Sequence, residues 1–216
     1  MKNTLLFACL AVLFFSCKDD RKPLTVAEKI AKAHGFEHWK KVSEIQFTFN
    51  VDKDSMHFDR VWAWKPKVDQ VTIYKRRDSV QYFRSQKDST TTQIDRGFIN
   101  DKFWLLFPFQ LVWDSNLTFS DVTQTEAPIS KSLLNKITVT YPDQGGYTPG
   151  DAYDIFYSDD YIIQEWIYRK GNQEEPSMVN TFENYKDFNG LKLALEHKKE
   201  TGTWSLNFSN VKVISN

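Results

Sequence analysis

Cysteine is nearly missing from this chain: Cys9 and Cys17 are the two in 216 residues, and both fall within the first twenty. No pair remains in the body of the protein, so the fold cannot rest on a disulfide framework. Glycine (eight) and proline (seven) are also sparse, which removes collagen-like repeats and linker-rich architectures. Neither sign of charge is in excess, with 28 Lys and Arg against 28 Asp and Glu. A protein that displaces counterions from nucleic acid carries a cationic surplus, so no nucleic-acid partner is expected. No apolar run reaches the roughly 20 residues that a membrane-crossing helix needs. Gly-x-Ser-x-Gly elbows, phosphate-cradling glycine loops and His-Glu-x-x-His zinc motifs are absent as well. What the chain does have is aromatic bulk: 17 Phe, 9 Tyr and 7 Trp, within a hydrophobic fraction of 41%. That is ample for one packed domain and excludes a mainly disordered chain.

The N-terminus reads as processing signal. Lys2 supplies a positive start, and Leu5 to Phe15 form an apolar run that ends at Ser16-Cys17. The run is too short to span a bilayer and suits a signal-peptide core, with residues 1–16 removed. The small Ser16 ahead of Cys17 is similar to a bacterial lipoprotein processing box, although Phe14 stands where Leu is usual. Cys17 is therefore the expected lipidation site, and residues 17–23, mostly charged, an expected tether between membrane and domain. Cys17-Lys18-Asp19-Asp20 also looks like the export tag of some surface lipoproteins. Ordinary secretion with cleavage nearby is the alternative.

Residues 24–216 read as a single domain. Thr25 as N-cap with Glu28 three residues on forms a capping box, and Gly35 supplies a stop. Val26, Ala27, Ile30 and Ala31 recur at helical spacing between them. Ile45, Phe47, Phe49 and Val51 then alternate with polar residues, the period of a strand with one buried face. Similar strand patterns recur at 60–65, 71–74, 80–83, 136–141, 152–157, 161–168, 178–185, 191–198 and 204–213. The connections are short, which demands antiparallel hairpins. The expected fold is mainly β: a single curved antiparallel sheet with an N-terminal helix and a short apolar helical or plug segment. That segment, Phe103 to Trp113, is apolar on every side, so it must be covered all round. Pro108 within it removes a helical hydrogen bond and predicts a bend or two short pieces.

Catalytic and metal-binding patterns are weak. His34 and His38 are one helical turn apart, but Gly35 lies between them and no third ligand is nearby, so no metal is expected. His57 and His197 fall in strand contexts and are expected at the surface or an edge. Asp159-Asp160 and Glu174-Glu175 fall in turns, where solvated charge is ordinary. No enzyme activity and no cofactor are expected.

A lipid-linked N-terminus, an amphipathic first helix and a run of antiparallel strands together resemble the lipoprotein carriers of the LolA, LolB and LppX type. Local stretches add to this: Ala33-His34-Gly35 and Trp39 leading into Ile45-Gln46-Phe47-Thr48-Phe49, Trp104-Leu105-Leu106-Phe107-Pro108-Phe109, Gly146-Tyr147-Thr148-Pro149-Gly150-Asp151 and Glu165-Trp166-Ile167-Tyr168-Arg169. The resemblance covers most of residues 24–213 as element order and scattered motifs, and no functional residue is carried over from it. It implies a half-barrel whose apolar cavity, covered by helices, receives acyl chains.

Trp62 and Trp64 share one strand face by alternation. With Trp104, Phe107 and Phe109 they are the expected wall or cover of an apolar-ligand cavity, though plain core packing would use the same residue types. The expected function is a cell-envelope protein, lipid-anchored to the outer membrane on its periplasmic face or at the cell surface. Its expected partners are lipid or lipoprotein acyl chains and, through the anchor, the membrane. The alternative is a carbohydrate- or protein-binding surface lipoprotein with a filled core.

Overall fold

The structure, a computed structural model, describes residues 22–145 and 147–216. The expected signal segment, the lipidation site Cys17 and the tether up to residue 21 lie outside the described residues. Helix α1 (Val26–Ala33) opens with the capping box of Thr25 and Glu28. The Glu28 backbone N–H donates to Thr25 Oγ1 at 3.2 Å, and the Thr25 N–H donates to Glu28 Oε2 at 2.7 Å. Two otherwise unpaired donors of the first turn are satisfied this way. The helix ends at Gly35, whose φ of 86° lies in the left-handed region. A side chain there would also collide with the carbonyl oxygen of Gly190, so glycine is required twice over.

Four antiparallel strands follow: β1 (Val42–Lys53), β2 (Met56–Lys65), β3 (Gln70–Lys75) and β4 (Asp78–Phe83). The chain then enters α2 (Ser89–Leu105) and α3 (Phe107–Trp113). Strands β5 (Thr118–Phe119), β6 (Thr123–Glu126), β7 (Leu133–Thr140), β8 (Ala152–Tyr157), β9 (Ile163–Arg169) and β10 (Met178–Thr181) come next. The small hairpin β11 (Lys186–Phe188) and β12 (Leu191–Leu193) precedes β13 (Glu196–Lys198) and β14 (Ser205–Ser215).

The strands hydrogen-bond as two antiparallel sheets, ordered β13-β14-β1-β2-β3-β4 and β10-β9-β8-β7-β5, with β6 also on β7. The single curved sheet expected from sequence is thus divided by a seam. The chain leaves β10, makes the excursion through β11 and β12, and returns as β13. At the seam the sheets are stitched rather than laddered. Glu183 bridges Glu196, the Glu183 N–H donates to the Glu196 carbonyl at 2.8 Å, and the Lys198 N–H donates to Thr181 Oγ1 at 3.0 Å. Strands β4 and β5 are left at the two far ends, so the assembly stays open, as a half-barrel does.

Helices α2 and α3 fill the concave side. Phe98, Leu105 and Phe109 pack toward the first sheet, and Phe103, Phe107 and Leu111 toward the second. This explains why the segment is apolar on all faces: it has protein on both sides. Leu106, with φ of −114° and ψ of 23°, interrupts the helix ahead of Pro108, which occupies the first turn of α3 where its missing N–H costs nothing. Helix α2 begins well before the apolar stretch, at an Asp88 and Thr91 capping box that the sequence reading leaves unassigned. Its base is held by Asp95, which is buried and receives Arg84 at 2.9 Å, Lys87 at 2.5 Å and the Tyr82 hydroxyl at 3.0 Å. Burial alone would raise the Asp95 carboxyl, but the Arg84 and Lys87 bonds outweigh it and hold the group below the usual range.

Candidate functional site

A cleft of about 320 Å³ opens between the two sheets over helix α2. Phe49 and Val51 of β1, with Trp204 and Leu206 at the start of β14, form one wall. Tyr153, Trp166, Tyr168 and Met178 from β8, β9 and β10 form the other. Asn100, Phe103 and Trp104 of α2 make the floor, and Tyr147 and Thr148 of the loop between β7 and β8 close one side. Volume alone does not single this cleft out, since a hollow of about 380 Å³ lies at Ser130, Ser132 and Glu165. Its lining does: eight of its thirteen lining residues are aromatic, whereas the other hollow is lined mainly by polar side chains.

Alternation explains the walls. Phe49 and Val51 are two apart on one strand, as are Trp166 and Tyr168, so each pair faces the same side of its sheet. The rings are held in place by one another. Tyr147 stacks on Phe103 with centroids 3.9 Å apart, Trp104 meets Trp166 edge-on at 4.7 Å, and Tyr153 lies 5.1 Å from Tyr168. Helix α1 packs beside the start of β9, where Lys29 Nζ donates to the Tyr161 hydroxyl at 3.4 Å. Tyr168, at the far end of β9, belongs to the cleft.

Polar groups in the cleft are few and already partnered. The Tyr147 hydroxyl donates to Asn100 Oδ1 at 3.2 Å, and the Tyr153 hydroxyl donates to Thr148 Oγ1 at 3.2 Å. The Tyr168 hydroxyl donates to Asp151 Oδ2 at 2.9 Å. Burial, helped by the Asp151 bond, pushes the Tyr168 phenol up to about 12, and burial also raises Tyr147 and Tyr153. All three therefore stay neutral. Beneath the floor Asp101 is fully buried. It accepts Arg60 Nε at 2.7 Å, Arg60 Nη2 at 2.5 Å, Trp62 Nε1 at 2.8 Å and Asn100 Nδ2 at 3.0 Å.

Of the five residues proposed from sequence for the cavity, Trp104 lines this cleft. Trp62 is buried with its indole bound to Asp101, and Trp64 packs among Trp39, Phe98 and Trp113. Phe107 lies one layer behind the wall, 4.7 Å from Trp166, and Phe109 packs against Phe36 and Trp39 in the first core. Sequence reasoning passed over Phe49, Tyr153 and Tyr168, whose same-face spacing was the available signal.

The expectation for His197 is corrected. It is fully buried on β13 at the seam, 5.2 Å from Trp104 and 4.5 Å from Phe182, with Nδ1 3.0 Å from the Thr181 carbonyl. Burial holds it down to about 4, so it is a neutral spacer behind the cleft. His57 is exposed beside Asp52. His34 is buried and bonds the Ile30 carbonyl at 2.8 Å. Among the described residues no three His, Cys, Asp or Glu are grouped to hold a metal. No described helix is long and apolar enough to cross a membrane.

No family model matches the chain, and no curated protein does. Solved structures do match. A LolA superfamily protein from Nitrosomonas europaea is similar with a TM-score of 0.52, covering 89% of this chain and 96% of its own at 9% identity. A proposed outer membrane lipoprotein-sorting protein domain from Vibrio parahaemolyticus gives 0.49 over 87% and 90%, at 13% identity. A DUF1329 family protein from Desulfovibrio piger gives 0.47 over 87% and 91%, at 8% identity. At such identities the Nitrosomonas likeness speaks to fold and not to ligand. An open antiparallel β structure, curved around two central helices and similar over nearly the whole of both chains, is the fold that this protein shares with the Nitrosomonas protein.

Proposed function

We propose that this is a lipid-anchored cell-envelope protein that holds an apolar ligand, lipid or lipoprotein acyl chains, in the cleft between its sheets. The observation that carries the reading is the aromatic lining of that cleft at Trp104, Trp166, Trp204, Phe49 and their neighbours. Ligand sites are typically concave and largely apolar, with a few placed polar groups, and run from about 300 to 1,000 Å³. The cleft falls at the low end of that range, enough for part of one chain. Each methylene moved from water into it contributes about 0.8 kcal/mol. The cleft's polar side chains are Asn100, Thr148 and neutral phenols, which favours holding a ligand over transforming one. The anchor is supported by the apolar run that ends at Ser16-Cys17.

Tryptophan emission tests the reading. Titration with a monoacylglycerol in detergent-free buffer is expected to shift the emission and to displace the neutral dye N-phenyl-1-naphthylamine. Trp104→Ala removes part of the floor and should weaken binding about ten-fold, equivalent to about 1.4 kcal/mol. Unchanged emission and no bound dye at saturating lipid would reduce these rings to core packing.

A further inference from the structure

The chemistry of the cleft selects among apolar ligands by charge. Resting on the reading of the cleft as the binding site, we infer that the buried part of the occupant is uncharged: a neutral amphiphile with an acceptor oxygen, such as an ester carbonyl, beside its chain. A free carboxylate or an ammonium is rejected.

Three observations carry this. First, no Asp, Glu, Lys, Arg or His lines the cleft among the described residues. An ion taken out of water without a partner costs several kcal/mol, so a site for charged heads needs an opposite charge on its wall. Second, the buried charges behind the wall are already hydrogen-bonded, and Lys199, 5.3 Å from the Trp204 ring centre, is exposed to water. Arg60 grips Asp101 with two hydrogen bonds, and its guanidinium lies 5.4 Å from the Phe49 ring centre. Asp101 also takes Trp62 and Asn100, while Asp151 takes the Tyr168 hydroxyl and the Gly171 N–H at 2.7 Å. An arriving anion would meet a neutralised guanidinium and two fixed carboxylates. An arriving cation would find Asp101 already taken by four hydrogen bonds and Asp151 outside the lining of the cleft.

Third, two side chains of the cleft keep a hydrogen to donate. Asn100 uses one amide hydrogen on Asp101 and its oxygen on Tyr147. Thr148 accepts from Tyr153 and has its own hydroxyl hydrogen to give. Each residue thus retains one donor, and the cleft tyrosines have given their hydroxyl hydrogens to Asn100, Thr148 and Asp151. Two donors on an otherwise apolar wall match an acceptor oxygen that carries no charge.

Competition against bound N-phenyl-1-naphthylamine at pH 8, with three ligands of equal chain length, tests the inference. Monododecanoylglycerol is expected to displace the dye at concentrations at least ten-fold below those of dodecanoate and of dodecylammonium. Thr148→Val should weaken the monoacylglycerol several-fold, and Thr148→Ser, which keeps the hydroxyl, should not. Either ion competing as well as the neutral ligand overturns the charge selection while leaving the binding site standing. A Thr148→Val protein that binds the monoacylglycerol as tightly as its parent overturns the donor role. Failure of dye and all three ligands to bind overturns the binding reading along with it.

Discussion

His34 and His197 lie in the interior as neutral imidazoles, each held down to about 4 by burial. An unfolded histidine titrates near 6.5, so between pH 6.5 and 4 the unfolded chain binds protons that the folded chain refuses. Their stabilising contribution is complete above pH 6.5 and is lost as pH falls toward 4, by about 3 kcal/mol for each residue. His57 acts in the other direction: Asp52 raises it, so its small exposed contribution is present at low pH and fades as pH rises. Asp95, held below the usual carboxylate range, gives way only at lower pH than the buried histidines. Melting temperature measured from pH 7 to 4.5 should therefore fall, and His197→Phe should reduce the slope by about half. A curve flat over that window would mean that both imidazoles titrate as they do in water. None of this was legible in sequence. A histidine on a strand shows its face, but whether Trp104, Phe182 and Phe208 cover that face depends on elements distant in the chain.

Among the elements, the first helix and the central helices show how far local chemistry reaches. Thr25, Glu28 and Gly35 mark the ends of α1 because capping and left-handed closure depend on immediate neighbours. Pro108 divides α2 from α3 for the same reason. The first half of α2 escaped notice because Thr90, Thr91 and Thr92 are β-branched and poor helix formers. It is the Asp88 cap, the ion cluster at Asp95 and the burial of Phe98 that stabilise it. Gly35 is also where two elements meet, since the β11–β12 turn at Gly190 presses on it. Gly35→Ala should cost at least about 2 kcal/mol in urea unfolding, because a left-handed backbone is strained for alanine and the added carbon must displace Gly190. A loss below about 0.5 kcal/mol, the scale of an ordinary surface change, would show that the turn yields easily.

At the scale of the whole molecule, α1 packs into the second core, by the start of β9, and the cleft takes Tyr168 from that strand's other end. The proposed anchor at Cys17 is open to a direct check. Cys17→Ser should move the protein from the membrane fraction to the soluble fraction and abolish palmitate labelling, while persistent labelling would place the lipid on another residue. The open architecture follows from the seam at Glu183 and Glu196, where short bridges replace a full ladder, and from the separation of β4 and β5. Curvature around α2 and α3 buries two aromatic cores and leaves the cleft between them.

Sequence by itself determined the class and sequence of elements: a capped first helix, antiparallel strands of period two, and an all-round apolar segment broken at Pro108. Those features follow from spacing and backbone chemistry, which act over a few residues. Only the tertiary structure decided which aromatic residues fill space and which border it. Trp62 and Trp64 face the interior by alternation, as expected, but the interior at that point is occupied by Phe98 and Trp113. Phe49 and Trp166, no different in kind, face the gap where the two sheets diverge. Period two tells which side of a strand a residue takes. Whether that side meets protein or empty space depends on how two distant sheets curve around a helix, and no local pattern contains that distance.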